Sequence, residues 1–293
     1  MLTFLLLALV LSAPGTAGAD EPPEHGDFVG SESCAGCHAG AFEQWRGSHH
    51  QLAMQPPTPE TVLGDFADAI FTYNGVTTRF YREGERFMVR TDGPDGELHD
   101  FPVRYVFGVY PLQQLLLPLD RGRLQALSIA WDARPADAGG QRWYHLYPDD
   151  AIDHRDPLHW TGPYQNWNSR CAECHSTGVE KGYDAGERRY DTRFREVSVG
   201  CEACHGPGAG HVEQMQGTAP PAGADLGLAL DLTQRGNWRL LEGAAIAARG
   251  SPLAADTQVN ACARCHSRRA ALGDYHYGAD LLDTHSPALL QPP

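Results

Sequence analysis

The sequence predicts an α+β fold, with helical or irregular cysteine-bearing segments interrupted by an antiparallel β-rich insert. Three observations carry that expectation. All eight cysteines fall in four copies of one unit: CAGCH (Cys34, Cys37, His38), CAECH (Cys171, Cys174, His175), CEACH (Cys201, Cys204, His205) and CARCH (Cys262, Cys265, His266). The long stretch between His38 and Cys171 holds no cysteine and reads as short alternating apolar runs broken by turn dipeptides. Windows beside the motifs, such as AGAFEQWRGSHHQLAM with Phe42, Trp45 and His49, have helical spacing instead.

Cys-x-x-Cys-His is the attachment signature of c-type haem: two thiols form thioether bonds to the porphyrin, and the adjacent imidazole ligates the iron. A four-cysteine zinc site or redox-active disulfides would use the same Cys pairs, but neither requires His after the second Cys. Four repetitions with no cysteine left over therefore predict four covalently attached haem c groups, with His38, His175, His205 and His266 as proximal ligands. The fold class follows: a helical or irregular part packed around four haems, carrying the β-rich insert.

Taken in order, residues 1–19 read as a signal peptide, an apolar run followed by Ala17-Gly18-Ala19. Cleavage near Ala19 implies a periplasmic or otherwise exported protein without a transmembrane span in the mature chain; because the n-region has no Lys or Arg, an uncleaved anchor is the alternative. Residues 20–60 form the first haem-binding segment, 61–150 the β-rich insert, and 151–293 the segment for haems two to four, packing with 20–60 as one multihaem domain. Within the insert, AIFTY, VTTRFYRE, RFMVRT, FPVRYVFGV, LQQLLLPL, LQALSIAWD and RWYHLYP are candidate strands. Asn74-Gly75 and Asp95-Gly96 mark hairpins, and the whole suggests one antiparallel sheet or a small sandwich. NWRLLEGAAIAARG and DTQVNACARCHSRRAAL read as helices, and residues 208–227 as a surface loop.

Net charge is −14, and Lys181 is the only lysine. That balance argues against nucleic-acid binding and suits a basic redox partner protein, with a merely solvated acidic surface as the alternative; docking to a membrane redox complex is neither demanded nor forbidden by it.

The second axial ligand decides whether a haem carries electrons or performs bond chemistry. Histidines outnumber methionines, so bis-His ligation is expected. His211 follows His205 by six residues, too short a chain to circle one porphyrin comfortably, so His211 is expected to reach a neighbouring haem; a surface or propionate contact is the alternative. His49 or His50 is a distal candidate, and His285 is another. His159 either ligates or packs on a haem edge. His145 reads as a hydrogen-bonded structural residue and Met54 as core. Trp45, Trp160, Tyr164 and Trp167 pack on porphyrin or in the core, and Arg264, Arg268 and Arg269 either pair with propionates or line a solvated helix face. Motifs two and three, close in sequence, are expected to hold a stacked haem pair.

FVGSESCAGCHAGAFEQWRGSHHQLAM, FGVYPLQQLLLPL, DPLHWTGPYQNWNSRCAECHST, VGCEACHGPGAGH and CARCHSRR together resemble multihaem cytochromes of the cytochrome c-552/c-554 type, in particular an exported bacterial group with a β-rich insert after its first haem. The resemblance implies closely stacked haem pairs that pass electrons, with the His after CHGPG and the His after the Gly-Ser following haem one as distal ligands. Here those are His211 and His50. Relatives often continue past LLDTHSPALL into further motifs, whereas this sequence stops at QPP, which reads as a compact or shortened member.

The expected function is electron relay by an exported tetrahaem cytochrome, more an electron-transfer protein than an enzyme. The alternative is a multihaem oxidoreductase with one five-coordinate haem acting on small nitrogen or sulfur compounds; the absence of a Cys-x-x-Cys-Lys motif does not favour it.

Overall fold

The computed structural model describes residues 27–217, 226–230, 232, 236–250 and 256–288. The N-terminal apolar segment and its Ala19 cleavage site, as well as part of the 208–227 loop, lie outside the described residues.

Ten strands lie between Met54 and His145: β1 (Met54–Gln55), β2 (Ala69–Tyr73), β3 (Val76–Glu83), β4 (Arg86–Asp92), β5 (Leu98–Pro102), β6 (Tyr105–Phe107), β7 (Leu112–Pro118), β8 (Leu124–Ala126), β9 (Ile129–Asp132) and β10 (Arg142–His145). They make two antiparallel sheets. One is the meander β2-β3-β4-β5; the other has the order β1-β6-β7-β9-β10, with β8 also on β7. Asn74 and Gly75 both have positive φ at the β2–β3 turn, as the Asn-Gly signal requires. Phe80, Phe87 and Val89 of the first sheet pack against Val106, Leu115, Leu117, Ile129 and Trp143 of the second, so the pair forms a small sandwich. Trp143 stacks on Phe80 with centroids 3.7 Å apart, and Phe66 meets both rings edge-on.

Strand β1 ties this sandwich to the first cysteine motif. Met54, fully buried, pairs with Phe107 and anchors a second core with Leu116, Ala126, Trp167 and Ala172. That core sits under motif two.

The helices are short. They are α1 (Glu32–Ala35), α2 (Ala39–Trp45), α3 (Trp167–Arg170), α4 (Ala172–His175), α5 (Cys201–His205), α6 (Ala209–Gln216) and α7 (Thr257–His266). None of the described helices is long and apolar enough to cross a membrane. Each motif lies on or against one helical turn, which brings Cys, Cys and His onto neighbouring positions of one face. Small hairpins follow: β11 (Tyr183–Asp184) with β12 (Arg189–Tyr190), β13 (Trp238–Leu240) with β14 (Ala247–Arg249), and β15 (Arg269–Ala271) with β16 (His285–Pro287).

Three expectations are corrected here. The segment NWRLLEGAAIAARG is the β13–β14 hairpin, because Gly243, at φ 77°, turns the chain where a helix would have to continue. The helix after motif one ends at Trp45, before His49, with Gly47 at φ 73° just beyond it. The last helix stops at His266, and the residues after it form a strand paired with the segment carrying His285.

Candidate haem-binding site

The four motifs are held together by buried polar contacts. Glu202, the second residue of CEACH, is 2% exposed. Its carboxylate accepts from the backbone N–H of Val29 (2.9 Å), Gly30 (2.7 Å) and Gly208 (2.7 Å). One side chain thus joins the entry to motif one, motif three and the turn that leads to His211. Ser31 reinforces the joint: its hydroxyl donates to Glu196 and accepts from the Cys201 N–H. Gly206, at φ 80°, makes the turn out of motif three, and a Cβ there would meet Ala229 Cβ at 3.0 Å.

Motif four bridges to motifs two and three. Arg264 is buried, donates to the Ala203 carbonyl at 3.2 Å, and lies over the rings of Tyr275 and Tyr277. Arg269 donates to Glu173 of motif two at 2.9 Å. These two arginines therefore do not line a solvated helix face; Arg268 is exposed.

The thiols meet between motifs. Cys34 lies against Cys201; burial and the neighbouring Cys201 thiol push it up to about 11. Cys174 lies against Cys265, and their hydrogen bond holds the Cys174 thiol up and draws Cys265 down to about 6. Cys204 is pushed up by burial, with Cys262 beside it. Burial likewise pushes Cys171 up to about 11. Spatial contacts thus run one–three–four–two. The pairing of motifs two and three expected from their closeness in sequence is not what these contacts show, because α5 packs toward motif one on one side and motif four on the other.

The imidazoles form two cross-motif pairs. His38 and His211 stack with centroids 6.0 Å apart and planes at 28°. His50 and His266 are also 6.0 Å apart, at 75°. An iron bound by two imidazole nitrogens at about 2 Å each sets the ring centroids about 6 Å apart, so both pairs have the spacing of a bis-His site. Nδ1 of His211 lies 2.7 Å from the Leu226 carbonyl, and Nδ1 of His175 lies 3.0 Å from the Ala53 carbonyl. A carbonyl only accepts, so in each neutral ring Nδ1 carries the proton and Nε2 keeps the lone pair a metal needs.

His285 is 1% exposed, with Nδ1 at 2.9 Å from the Thr284 hydroxyl. Its buried Nε2 makes no hydrogen bond, lying 3.3 Å from Glu173 of motif two without bonding geometry. A buried orphan nitrogen beside a cysteine motif fits an iron ligand. His159 is different. Its Nε2 pairs with Asp92 at 3.1 Å and its Nδ1 with Thr161 at 2.8 Å, so neither nitrogen is left for iron. Its neighbour Trp160 donates to the Asp92 carbonyl and belongs to the sandwich core.

His145 is buried, with Nδ1 at Tyr147 and its ring 3.6 Å from that of Tyr73, a structural role. Trp167 is fully buried in the second core, Trp45 donates to the Val199 carbonyl at 2.9 Å, and Tyr164 is exposed beneath Arg170. Sequence reasoning missed Glu202 as the joint between motifs, although its place inside CEACH was visible. It also missed the carbonyls of Ala53 and Leu226, which leave no side-chain signal.

Set against known proteins, one segment has a clear likeness. Residues 151–206 match the family model of cytochrome c554 and c-prime. That stretch contains motifs two and three. No curated protein matches the sequence. Among solved structures, the fold is similar to the "Outer Cell Wall Cytochrome OcwA", with a TM-score of 0.50 and 18% identity over 89% of this chain and 45% of that one. An undecahaem cytochrome from the S-layer of Carboxydothermus ferrireducens matches at a TM-score of 0.37 and 23% identity, over 66% of this chain and 22% of that one. The chain thus spans less than half the length of either structure.

Proposed function

We propose that the chain is an exported tetrahaem c-type cytochrome that relays electrons to and from redox partner proteins. The observation that carries this reading is the pair of imidazole couples His38–His211 and His50–His266, each at 6.0 Å and each joining a Cys-x-x-Cys-His histidine to one outside the motifs. The family match over residues 151–206 supports it. Covalently bound haem supplies a ferric/ferrous couple whose potential is set by axial ligands and burial.

The chain's own residues do the rest. Cys34 and Cys37, Cys171 and Cys174, Cys201 and Cys204, and Cys262 and Cys265 hold the four groups. His38 and His211 would hold one iron between them, and His50 and His266 would hold another. His285 would serve the junction of motifs two and four, where its buried Nε2 lies 3.3 Å from Glu173. Carbonyls of Ala53 and Leu226 orient the rings they bond. The thiol contacts order the attachment points one, three, four, two, and Glu202, Arg264 and Arg269 keep that order rigid. The net charge of −14 suits a basic docking partner.

A second reading is an oxidoreductase with one open haem that acts on small nitrogen or sulfur compounds. The test is a haem count per chain by pyridine haemochrome, together with a reductive titration of the purified protein. Four haems that all reduce and reoxidise reversibly, with no change on adding nitrite or hydroxylamine, support the relay. Fewer than four haems removes the tetrahaem reading, and a spectral shift with nitrite favours the enzyme.

A further inference from the structure

One cleft lies beside the segment that leads into motif two. It has a volume of about 470 Å³ and is walled by the turn after β7, residues 161–169 and the β11–β12 hairpin. Its charged groups are Arg121, Arg123, Arg188 and Asp120. Asp120 is engaged by Arg123. Arg121 and Arg188 make no ion pair or side-chain hydrogen bond among the described residues, so the cleft keeps two surplus positive charges on a chain of net charge −14.

Other polar lining groups are already satisfied. Asn166 accepts from Ser169 and donates to Gln125. The Thr161 hydroxyl pairs with His159. What remains for a ligand is two guanidinium groups and the phenols of Tyr183 and Tyr190, whose rings lie 4.7 Å apart. Guanidinium is a donor-only fork suited to carboxylate or phosphate oxygens, and it has no use for a cation.

The two arginines are held at unfavourable backbone angles, Arg121 at φ 57° and Arg188 at φ 50°. Left-handed non-glycine residues are strained and persist only where their surroundings fix them. Here the Tyr190 N–H donates to the Arg121 carbonyl at 2.9 Å. Gly122, at φ 71°, lets the Tyr190 carbonyl approach where any side chain would collide. The hairpin and the turn are thereby clamped together, each presenting one arginine to the same space.

We propose that this cleft binds a small aromatic anion, with its carboxylate or phosphate between Arg121 and Arg188 and its ring against Tyr183 and Tyr190. The cleft is several times larger than an inorganic oxyanion, and Tyr183, 49% exposed, offers a free ring edge. The proposal does not depend on what the haems do.

The test uses the haem-loaded protein and three probes: 2-naphthoate, inorganic phosphate and neutral 2-naphthol, followed by calorimetry. Naphthoate is expected to bind with a dissociation constant below about 1 mM and to weaken about tenfold or more when Arg121→Ala and Arg188→Ala are combined. Tyr183→Ala is expected to weaken naphthoate several-fold and leave phosphate unchanged, and naphthol is expected not to bind. Unchanged visible spectra would show that these exposed-turn variants remain folded. Binding of naphthol as tightly as naphthoate, naphthoate affinity unaffected by the double replacement, or phosphate binding without naphthoate binding would each overturn the proposal. So would an absence of naphthoate binding to the haem-loaded protein.

Discussion

His38 and His211 stand 6.0 Å apart, centroid to centroid, although the chain between them runs through the whole β-sandwich. The neighbouring His205, six residues before His211, is not its partner. A short glycine-rich turn after motif three brings His211 against the histidine of motif one. The Leu226 carbonyl bonds Nδ1 of that ring and leaves the lone pair on Nε2.

Replacing His211 by Met tests that assignment through potential. Met/His ligation raises a haem's reduction potential relative to bis-His. In His211→Met, one haem-equivalent is expected to shift upward in a spectroelectrochemical titration while the other three keep their wild-type midpoints. A titration curve unchanged from wild type would remove His211 from the ligand set.

His159→Ala is expected to act on stability alone. The change leaves Asp92 buried without its partner, at a cost of about 2–3 kcal/mol. Thermal unfolding would report the loss, while the visible spectrum of the oxidised protein stays as in wild type. Loss of a low-spin haem in this variant would restore His159 as a ligand.

Glu202 gathers three backbone N–H donors, and Gln can accept from at most two while turning an amide toward the third. Glu202→Gln is expected to lower stability by about 2–3 kcal/mol, read as a fall in the urea midpoint. Hydrogen exchange at Val29, Gly30 and Gly208 should rise together, and exchange at β3 and β4 should not.

Asp132 gives a pH signature remote from the motifs. Hydrogen bonds from Arg134 hold its carboxyl down at about 2, below the ordinary 3.8. A depressed carboxyl contributes stability above its unfolded value and loses it as pH falls toward the folded one. Carbon-detected titration is expected to place Asp132 near 2 in the wild type and closer to 4 in Arg134→Ala; equal values in the two proteins would contradict the pairing.

The motifs were legible in the sequence because the Cys-x-x-Cys-His unit fixes residue type and spacing together. The hairpins at Asn74-Gly75 and Asp95-Gly96 were legible because few dipeptides accept positive φ. Which histidine meets which motif was only half legible. His211 could be sent to a neighbouring motif by chain length, but that this motif is the first depends on Glu202 drawing Val29 and Gly30 onto α5. His159 could be read as a ligand or as packing on a haem edge beside Trp160. Its actual partner, Asp92, comes from a strand far back in the chain. NWRLLEGAAIAARG misled because its residues favour a helix, and a single left-handed glycine decides otherwise.

The central claim is that two motif histidines are paired with His211 and His50 across iron. Electron paramagnetic resonance of the fully oxidised protein tests it most directly, comparing wild type with the double replacement His50→Ala and His211→Ala. The account predicts that two haem-equivalents leave the low-spin signal and appear as high-spin ferric iron, with four haems still attached. A double variant whose low-spin signal matches that of the wild type would contradict it.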